Sequence, residues 1–230
     1  MNHLCDKLQI IGDNIVTYTQ VAQRKENSVQ LLAVSKRHPS SSIREAYACG
    51  QRLFGENYVQ EMLEKAESLS DLAIKWHFIG SLQSNKTRRV AEVADWVHTV
   101  DRLKIAKRLS DQRPSHMPPL SICLQVNISE EENKSGILIE KLPVLAEEVA
   151  KLPHIKLRGL MVIPKAEHDF AQQCAVFAKV RQLQETLNKQ LAAQNIVLDT
   201  LSMGMSGDMK AAIIEGATIV RIGTAIFGSR

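Results

Sequence analysis

The residues of this chain best suited to chemistry are a lysine, an arginine and two glycine-containing turns. Lys36 closes the apolar run LLAVSK. An amine at the end of such a run stands in surroundings that disfavour its charged form, and the neutral amine is the form that attacks carbonyl carbons. The alternative is a lysine that snorkels from the strand end into solvent. The stretch SMGMSGDMKAA combines Gly204 and Gly207, where backbone can approach a ligand closely, with Ser206, a hydroxyl and a candidate N-cap for a helix beginning near Asp208. RIGTAIFG adds Gly223 and Thr224, which can present backbone N–H groups and a second hydroxyl. Ordinary turns use the same residues, so either stretch alone says little. Together they describe an anion cradle of the kind that holds phosphate. Arg221 lies two residues before Gly223, so both point to one face of a strand. A permanent cation on an inward face needs an acceptor, either a carboxylate or an acceptor nitrogen on a bound heterocycle.

These groups need elements to place them. Leu4, Leu8, Ile11, Ile15, Tyr18 and Ala22 recur at spacings of three and four, one stripe of an amphipathic helix. The run 30–36 (QLLAVSK) then reads as a strand, stopped by His38-Pro39 and followed by Ser40, Ser41 and Ser42 as candidate N-caps of a helix. The unit recurs with strands at 52–56, 74–80, 96–100, 120–127, 157–163, 200–205 and 218–227, with helical patterns between them. Continuous apolar strands alternating with helices are the pattern of an α/β (β/α)8 TIM barrel, here with an extra N-terminal helix and a single domain over residues 1–230. Its sites sit where strands run into the following helices, which puts Lys36 over a largely apolar interior and the cradle after strands seven and eight. No helix is expected after the last strand, and the N-terminal helix is expected to cover that part of the wall. A doubly wound open sheet is the main alternative, but the first strand lacks the G-x-G-x-x-G turn.

Composition narrows the classes. With 44% hydrophobic and 23% charged residues, the 230-residue chain can bury a core and is neither disordered nor low in complexity. The four cysteines, Cys5, Cys49, Cys123 and Cys174, form no C-x-x-C pair and no cluster with histidine, so reduced thiols and no metal site are expected. The start MNHLCDKLQIIGDN lacks a secretory pattern and no apolar run reaches membrane-spanning length, which points to the cytoplasm. The +4 net charge includes the clusters Lys86, Arg88, Arg89 and Lys104, Lys107, Arg108, in helical segments. With 4% aromatics there is little to stack on bases, so these read as solvated faces rather than a nucleic-acid site.

Lysine, anion cradle and inward arginine together meet the needs of pyridoxal 5'-phosphate (PLP): an aldehyde to condense with Lys36, a phosphate to anchor, a ring nitrogen for Arg221. The chain resembles the pyridoxal phosphate homeostasis protein family, single-domain proteins similar to the N-terminal barrel of alanine racemase. The resemblance rests on AVSKRHP, FGENYVQE, WHFIGSLQSNK, NKSG, RGLMVIP, SMGMSGDM and VRIGTAIFG, in order along nearly the whole length. It implies that Lys36 carries the cofactor as a covalent Schiff base, that Ser206, Gly223 and Thr224 hold the phosphate, and that Arg221 faces the pyridine nitrogen. Asn57, at the end of FGEN, is implied as a further pocket residue. His77 and residues 83–86 are signatures without an assigned role; core packing and a helix cap are their ordinary readings. Ser81 stands where many relatives have proline.

The resemblance further implies intracellular PLP (vitamin B6) homeostasis: a protein that buffers or delivers the cofactor, with apo PLP-dependent enzymes as candidate recipients and indirect effects on amino-acid and keto-acid metabolism. No catalytic residue is implied. A cationic Arg221 discourages protonation of the pyridine nitrogen and so weakens the ring as an electron sink. Racemases of similar barrel add a tyrosine base from a further β-domain of the partner subunit. Here Tyr18, Tyr47 and Tyr58 lie in or near helices, and the expected state is a monomer. The rival reading is a small PLP-dependent amino-acid racemase with Lys36 as its only base. A Schiff-base aldolase or isomerase acting on a phosphorylated sugar leaves Arg221 unexplained, and a scaffold leaves the lysine and the cradle without purpose.

Overall fold

A computed structural model describes residues 3–129 and 135–228; Asn133 and Lys134 of the NKSG stretch lie outside them. Eight parallel strands close into a barrel in chain order: β1 (Gln30–Val34), β2 (Leu53–Glu56), β3 (Lys75–Phe78), β4 (Trp96–Val100), β5 (Leu120–Gln125), β6 (Ile155–Met161), β7 (Thr200–Ser202) and β8 (Ile219–Ile222), which pairs with β1. The helices between them are α2 (Ser40–Ala48), α3 (Val59–Ser68), α4 (Thr87–Val93), α5 (Leu103–Gln112), α6 (Leu142–Ala150), α7 (Phe170–Leu191) and α8 (Met209–Ile214), with α1 (His3–Val21) ahead of β1. The expected barrel with an extra N-terminal helix is therefore the observed one. One expectation fails at the end of the chain: the run 218–227 is not a single strand but β8 followed by a short helix, α9 (Thr224–Phe227). Gly223 ends the strand conformation, and the N–H groups of Ile226 and Phe227 both turn back to its carbonyl.

The strands are two-faced in the way the pleat requires. On β1 and β8 the outward residues Ala33, Val220 and Ile222 join the large core beneath the helices, while Leu32, Val34 and Ile219 join Ile79 in a separate cluster inside the barrel. The interior is not largely apolar, as the sequence suggested. His98 on β4 pairs with Ser202 on β7, strands that are not neighbours, so the contact crosses the lumen. Arg221 on β8 likewise reaches past β7 to the carbonyl of Val162. Half of the lumen is hydrocarbon and the other half a hydrogen-bonded polar wall, a distinction that alternation in single strands does not reveal.

Helix α1 buries Leu8, Ile11 and Ile15 and packs against α2, α8 and α9, covering the wall where β8 meets β1. This neighbourhood overturns the expectation of four reduced thiols. Cys5 on α1 meets Cys49 at the C-terminal end of α2 in a disulfide, with Cα atoms 5.3 Å apart. Their sequence separation of 44 gives no hint of the contact, which exists because closure of the barrel lays α1 beside α2. Cys123 and Cys174 are free; burial pushes the Cys123 thiol up to about 12, so it is inert in the folded state. Thiol titration without reductant is accordingly expected to find Cys174 reactive in the native protein, two thiols after denaturation, and four only after reduction. Four thiols in the unreduced, denatured protein would contradict the pairing.

Candidate functional site

Lys36 is placed by its neighbours. Ser35, directly after β1, turns its side chain into the barrel wall, where Oγ donates to Glu56 Oε1 at 2.6 Å. Lys65 of α3 donates from Nζ to the Ser35 carbonyl at 2.8 Å and to Glu56 and Glu61 at 2.7 Å each. Glu61 also accepts the backbone N–H of Arg37, which adopts a left-handed φ of 62°. Both peptides flanking Lys36 are thus tied to α3, and with side chains alternating along the strand, Lys36 faces the mouth of the lumen. Glu56 is fully buried; burial pushes its carboxyl up, against the hydrogen bonds from Lys65 and Ser35 that hold it down.

Asn57 follows β2 and lines the same mouth as Lys36, with a buried Oδ1 that has no hydrogen-bond partner. Gly80, in the WHFIGS stretch, lets this segment come close: a Cβ there would sit 1.8 Å from the Asn57 carbonyl oxygen. Thr99 Oγ1 donates to the Gly80 carbonyl at 2.6 Å and fixes the loop. The role of Gly80 was not read from the sequence, although its place directly after an apolar strand run was the available signal.

The two glycine turns border the same cavity, the one after β8 lying directly beside β1. Ser206, Gly207, Gly223 and Thr224 line the cavity with Lys36, Asn57 and Arg221. Gly204, with φ of 96°, makes the turn out of β7 and leaves no room for a side chain, since a Cβ would lie 2.6 Å from that of Ala212. The expectation that Ser206 caps the next helix is corrected. Asp208 occupies the N-cap of α8, and its Oδ1 accepts the N–H of Met205 at 2.6 Å. The Ser206 hydroxyl meets no partner among the described residues. Backbone N–H groups of Ser206, Gly207, Thr224 and Ala225 also meet no acceptor among the described residues.

Arg221 forms the floor. Nη1 donates to the Ser202 carbonyl at 2.6 Å and to Ser202 Oγ at 3.0 Å, and Nη2 donates to the Val162 carbonyl at 2.9 Å. Among the described residues no carboxylate stands within ion-pair distance, so the carboxylate alternative does not apply. Burial lowers the guanidinium to about 10, with Asp208 opposing from a distance. Two of its five N–H donors, Nε–H and one on Nη2, remain uncommitted in a residue that lines the cavity. The cavity holds about 360 Å³ and is walled on its apolar side by Val34, Ile79, Met161 and Ile163.

All six residues singled out in the sequence, Lys36, Asn57, Ser206, Arg221, Gly223 and Thr224, therefore share one cavity. His77 is buried within the barrel and bonded to His98, in keeping with core packing. Residues 83–86 form a short turn into α4, where Gln83 receives the N–H of Lys86 on its carbonyl. Tyr18, Tyr47 and Tyr58 all lie outside the cavity. No group of three or more His, Cys, Asp or Glu among the described residues could hold a metal ion, and no helix is long and apolar enough to cross a membrane.

A profile of the alanine racemase N-terminal domain matches residues 7–230. The pyridoxal phosphate homeostasis protein of Pseudomonas aeruginosa is 54% identical over 230 residues, covering 100% of this chain and 97% of that one. The chain belongs to the pyridoxal phosphate homeostasis protein family. Another member, from Escherichia coli K12, is 49% identical over 100% of this chain and 98% of its own. Structures of PipY from Synechococcus elongatus, without PLP and with PLP bound, are similar at 39% identity, with TM-scores of 0.85 and 0.83, each covering 98% of this chain and 100% of that one. An alanine racemase from Corynebacterium glutamicum shares the fold at 15% identity and a TM-score of 0.64, covering 95% of this chain and 61% of that one.

The wall that fixes Lys36 yields a stability prediction. Lys65→Met leaves the buried Glu56 carboxylate without its cation, and loss of one partner of a buried pair costs about 3–5 kcal/mol. Denaturant unfolding is expected to show a loss of that size, partly recovered in Lys65→Met/Glu56→Gln. A loss below about 1 kcal/mol, the range of exposed pairs, would show that the network does not hold the wall.

Proposed function

We propose that this cavity binds pyridoxal 5'-phosphate reversibly, with Lys36 as its covalent anchor, and that the protein, a single barrel domain, buffers or delivers the cofactor inside the cell. The observation that carries the reading is Arg221: a buried cation bonded only to neutral oxygens, with donors left over, on the floor of the cavity that Lys36 overlooks. A pyridine nitrogen is an acceptor of the right kind for those donors. The orphaned Oδ1 of Asn57 and the uncommitted N–H groups of the two glycine turns are further polar atoms that such a ligand would satisfy. The volume of about 360 Å³ lies within the range of small-molecule sites. Family members are named for PLP homeostasis, and PipY has been seen with PLP bound.

When bound, the cofactor supplies an aldehyde, with which a primary amine forms a C=N bond and releases water. The chain's own residues supply the rest. Lys36 is the amine, held at the mouth by Ser35 and Arg37. Ser206, Gly207, Gly223 and Thr224 take the phosphate through hydroxyl and backbone N–H donors. Asn57 would offer its side chain from the β2 side of the cavity, and Val34, Ile79, Met161 and Ile163 would keep water from its apolar wall.

A carrier role is supported by the cavity lining, in which, among the described residues, Lys36 is accompanied by no histidine, carboxylate or tyrosine that could serve as a second base. Arg221 also keeps the ring nitrogen unprotonated, which is poor chemistry for stabilising a carbanion. Apo PLP-dependent enzymes are the proposed recipients, the cytoplasm is the proposed location, and the barrel acts as a monomer.

The test is borohydride reduction of PLP-incubated protein followed by peptide mass analysis. The adduct is expected on the peptide containing Lys36 and is absent from Lys36→Ala; an adduct confined to other lysines would overturn the reading. In parallel, amino acids incubated with loaded protein in deuterium oxide are expected to exchange their α-hydrogen no faster than with free PLP. Exchange far above that background would establish the racemase reading instead.

A further inference from the structure

Beneath the cavity floor a buried polar chain crosses the barrel. Arg221 Nη1 donates to Ser202 Oγ at 3.0 Å, Ser202 Oγ lies 2.8 Å from His98 Nδ1, and His98 Nε2 lies 2.9 Å from His77 Nδ1. The His77 ring in turn stacks on Trp96, with centroids 5.5 Å apart and planes within 5°, and the Arg158 guanidinium covers the Trp96 ring at 4.8 Å. Both histidines and Ser202 are completely buried. Apart from Arg221, none of these groups lines the cavity, and none has a role in the function proposed above.

Hydrogen-bond accounting assigns the protons from the arginine outward. Ser202 Oγ already accepts from Arg221, and its single hydroxyl proton has one available acceptor among the described residues, His98 Nδ1. His98 then carries its own proton on Nε2 and donates it to His77 Nδ1. The remaining proton of the chain falls on His77 Nε2, the buried nitrogen with no partner. The reverse direction would leave two polar groups unsatisfied, the serine O–H and His77 Nε2, instead of one. Both histidines are neutral in this arrangement, consistent with burial lowering His77 to about 3 and His98 well below its ordinary value.

The direction matters because it makes Ser202 a fixed acceptor. With its hydroxyl proton committed to His98, the serine lone pairs are turned toward Arg221, and the guanidinium cannot swing without losing that bond. We infer that His98 is a positioning residue for the cofactor, holding Ser202 Oγ so that Arg221 keeps its uncommitted donors on the cavity floor for the ring nitrogen. His77 holds the His98 ring in turn. This inference rests on the PLP reading of the site.

The test compares wild type, Arg221→Gln, His98→Leu, His98→Asn and Ser202→Ala by PLP titration, reading both affinity and the absorption band of the loaded protein at one pH. Arg221→Gln removes the cation that faces the ring nitrogen and sets the direction of the band shift. His98→Leu and Ser202→Ala are expected to weaken PLP binding roughly tenfold, as for loss of one hydrogen bond to a charged group, and to shift the band the same way. His98→Asn keeps an acceptor near the position of Nδ1 and is expected to restore the wild-type band with affinity within about threefold. A purely structural role would lower the melting temperature without moving the band. If His98→Leu does not fold, Ser202→Ala, which loses only a hydroxyl, carries the comparison. Wild-type band and affinity in His98→Leu and Ser202→Ala, alongside a shifted Arg221→Gln, would overturn this inference alone. A wild type that does not load, or an Arg221→Gln band identical to wild type, would overturn the underlying reading and this inference with it.

Discussion

A guanidinium buried inside a barrel without a carboxylate is the constraint on which the site depends. A buried charge is costly unless its donors are met, and here three neutral oxygens meet only part of the demand on Arg221. The other donors need something from the cavity. A ring nitrogen is one acceptor those donors fit. It also accounts for the polar half of the lumen. Ser202, His98 and His77 lie under the arginine because an apolar wall there would leave it with fewer acceptors still.

The other pole of the site, Lys36, is controlled from the opposite face of the sheet. Ser35 and Glu56 point outward into the wall and bond with Lys65 of α3, while Lys36 and Arg221 point to the lumen. One network fixes the amine from behind and another fixes the cation from below, and the period of two along a strand keeps them apart. Closure of the barrel between β8 and β1 then brings the lysine and the arginine, far apart in the chain, to the rim and floor of a single cavity.

The parts of this arrangement that are local were legible in the sequence. Apolar runs alternating with helical stripes fixed the barrel, and every residue proposed to touch the ligand sat at the end of such a run or in a glycine turn beside it. What was not legible depends on contacts across the lumen or between helices. Ser202 and His98 are separated by 104 residues, and nothing in either strand announces that they meet. The disulfide between Cys5 and Cys49 follows from α1 lying beside α2, which only closure decides. Strand ends were read longer than the regular strands, as at 200–205; beyond the end of β7, Met203 is still fully buried and still donates its N–H to the Ile219 carbonyl. Gly80 falls within the strand run 74–80, and its need for glycine comes from the Asn57 backbone packed against it, a contact between different strand ends.

Membership of the pyridoxal phosphate homeostasis protein family joins these features to one ligand, and Arg221 is where the account is most exposed to test. The direct measurement is the nitrogen-15 chemical shift of ring-labelled PLP bound to the protein. A shift characteristic of an unprotonated pyridine nitrogen that accepts a hydrogen bond, lost in Arg221→Gln, is the predicted result. A protonated ring nitrogen in the wild-type protein, or a signal unmoved by the substitution, would contradict the account.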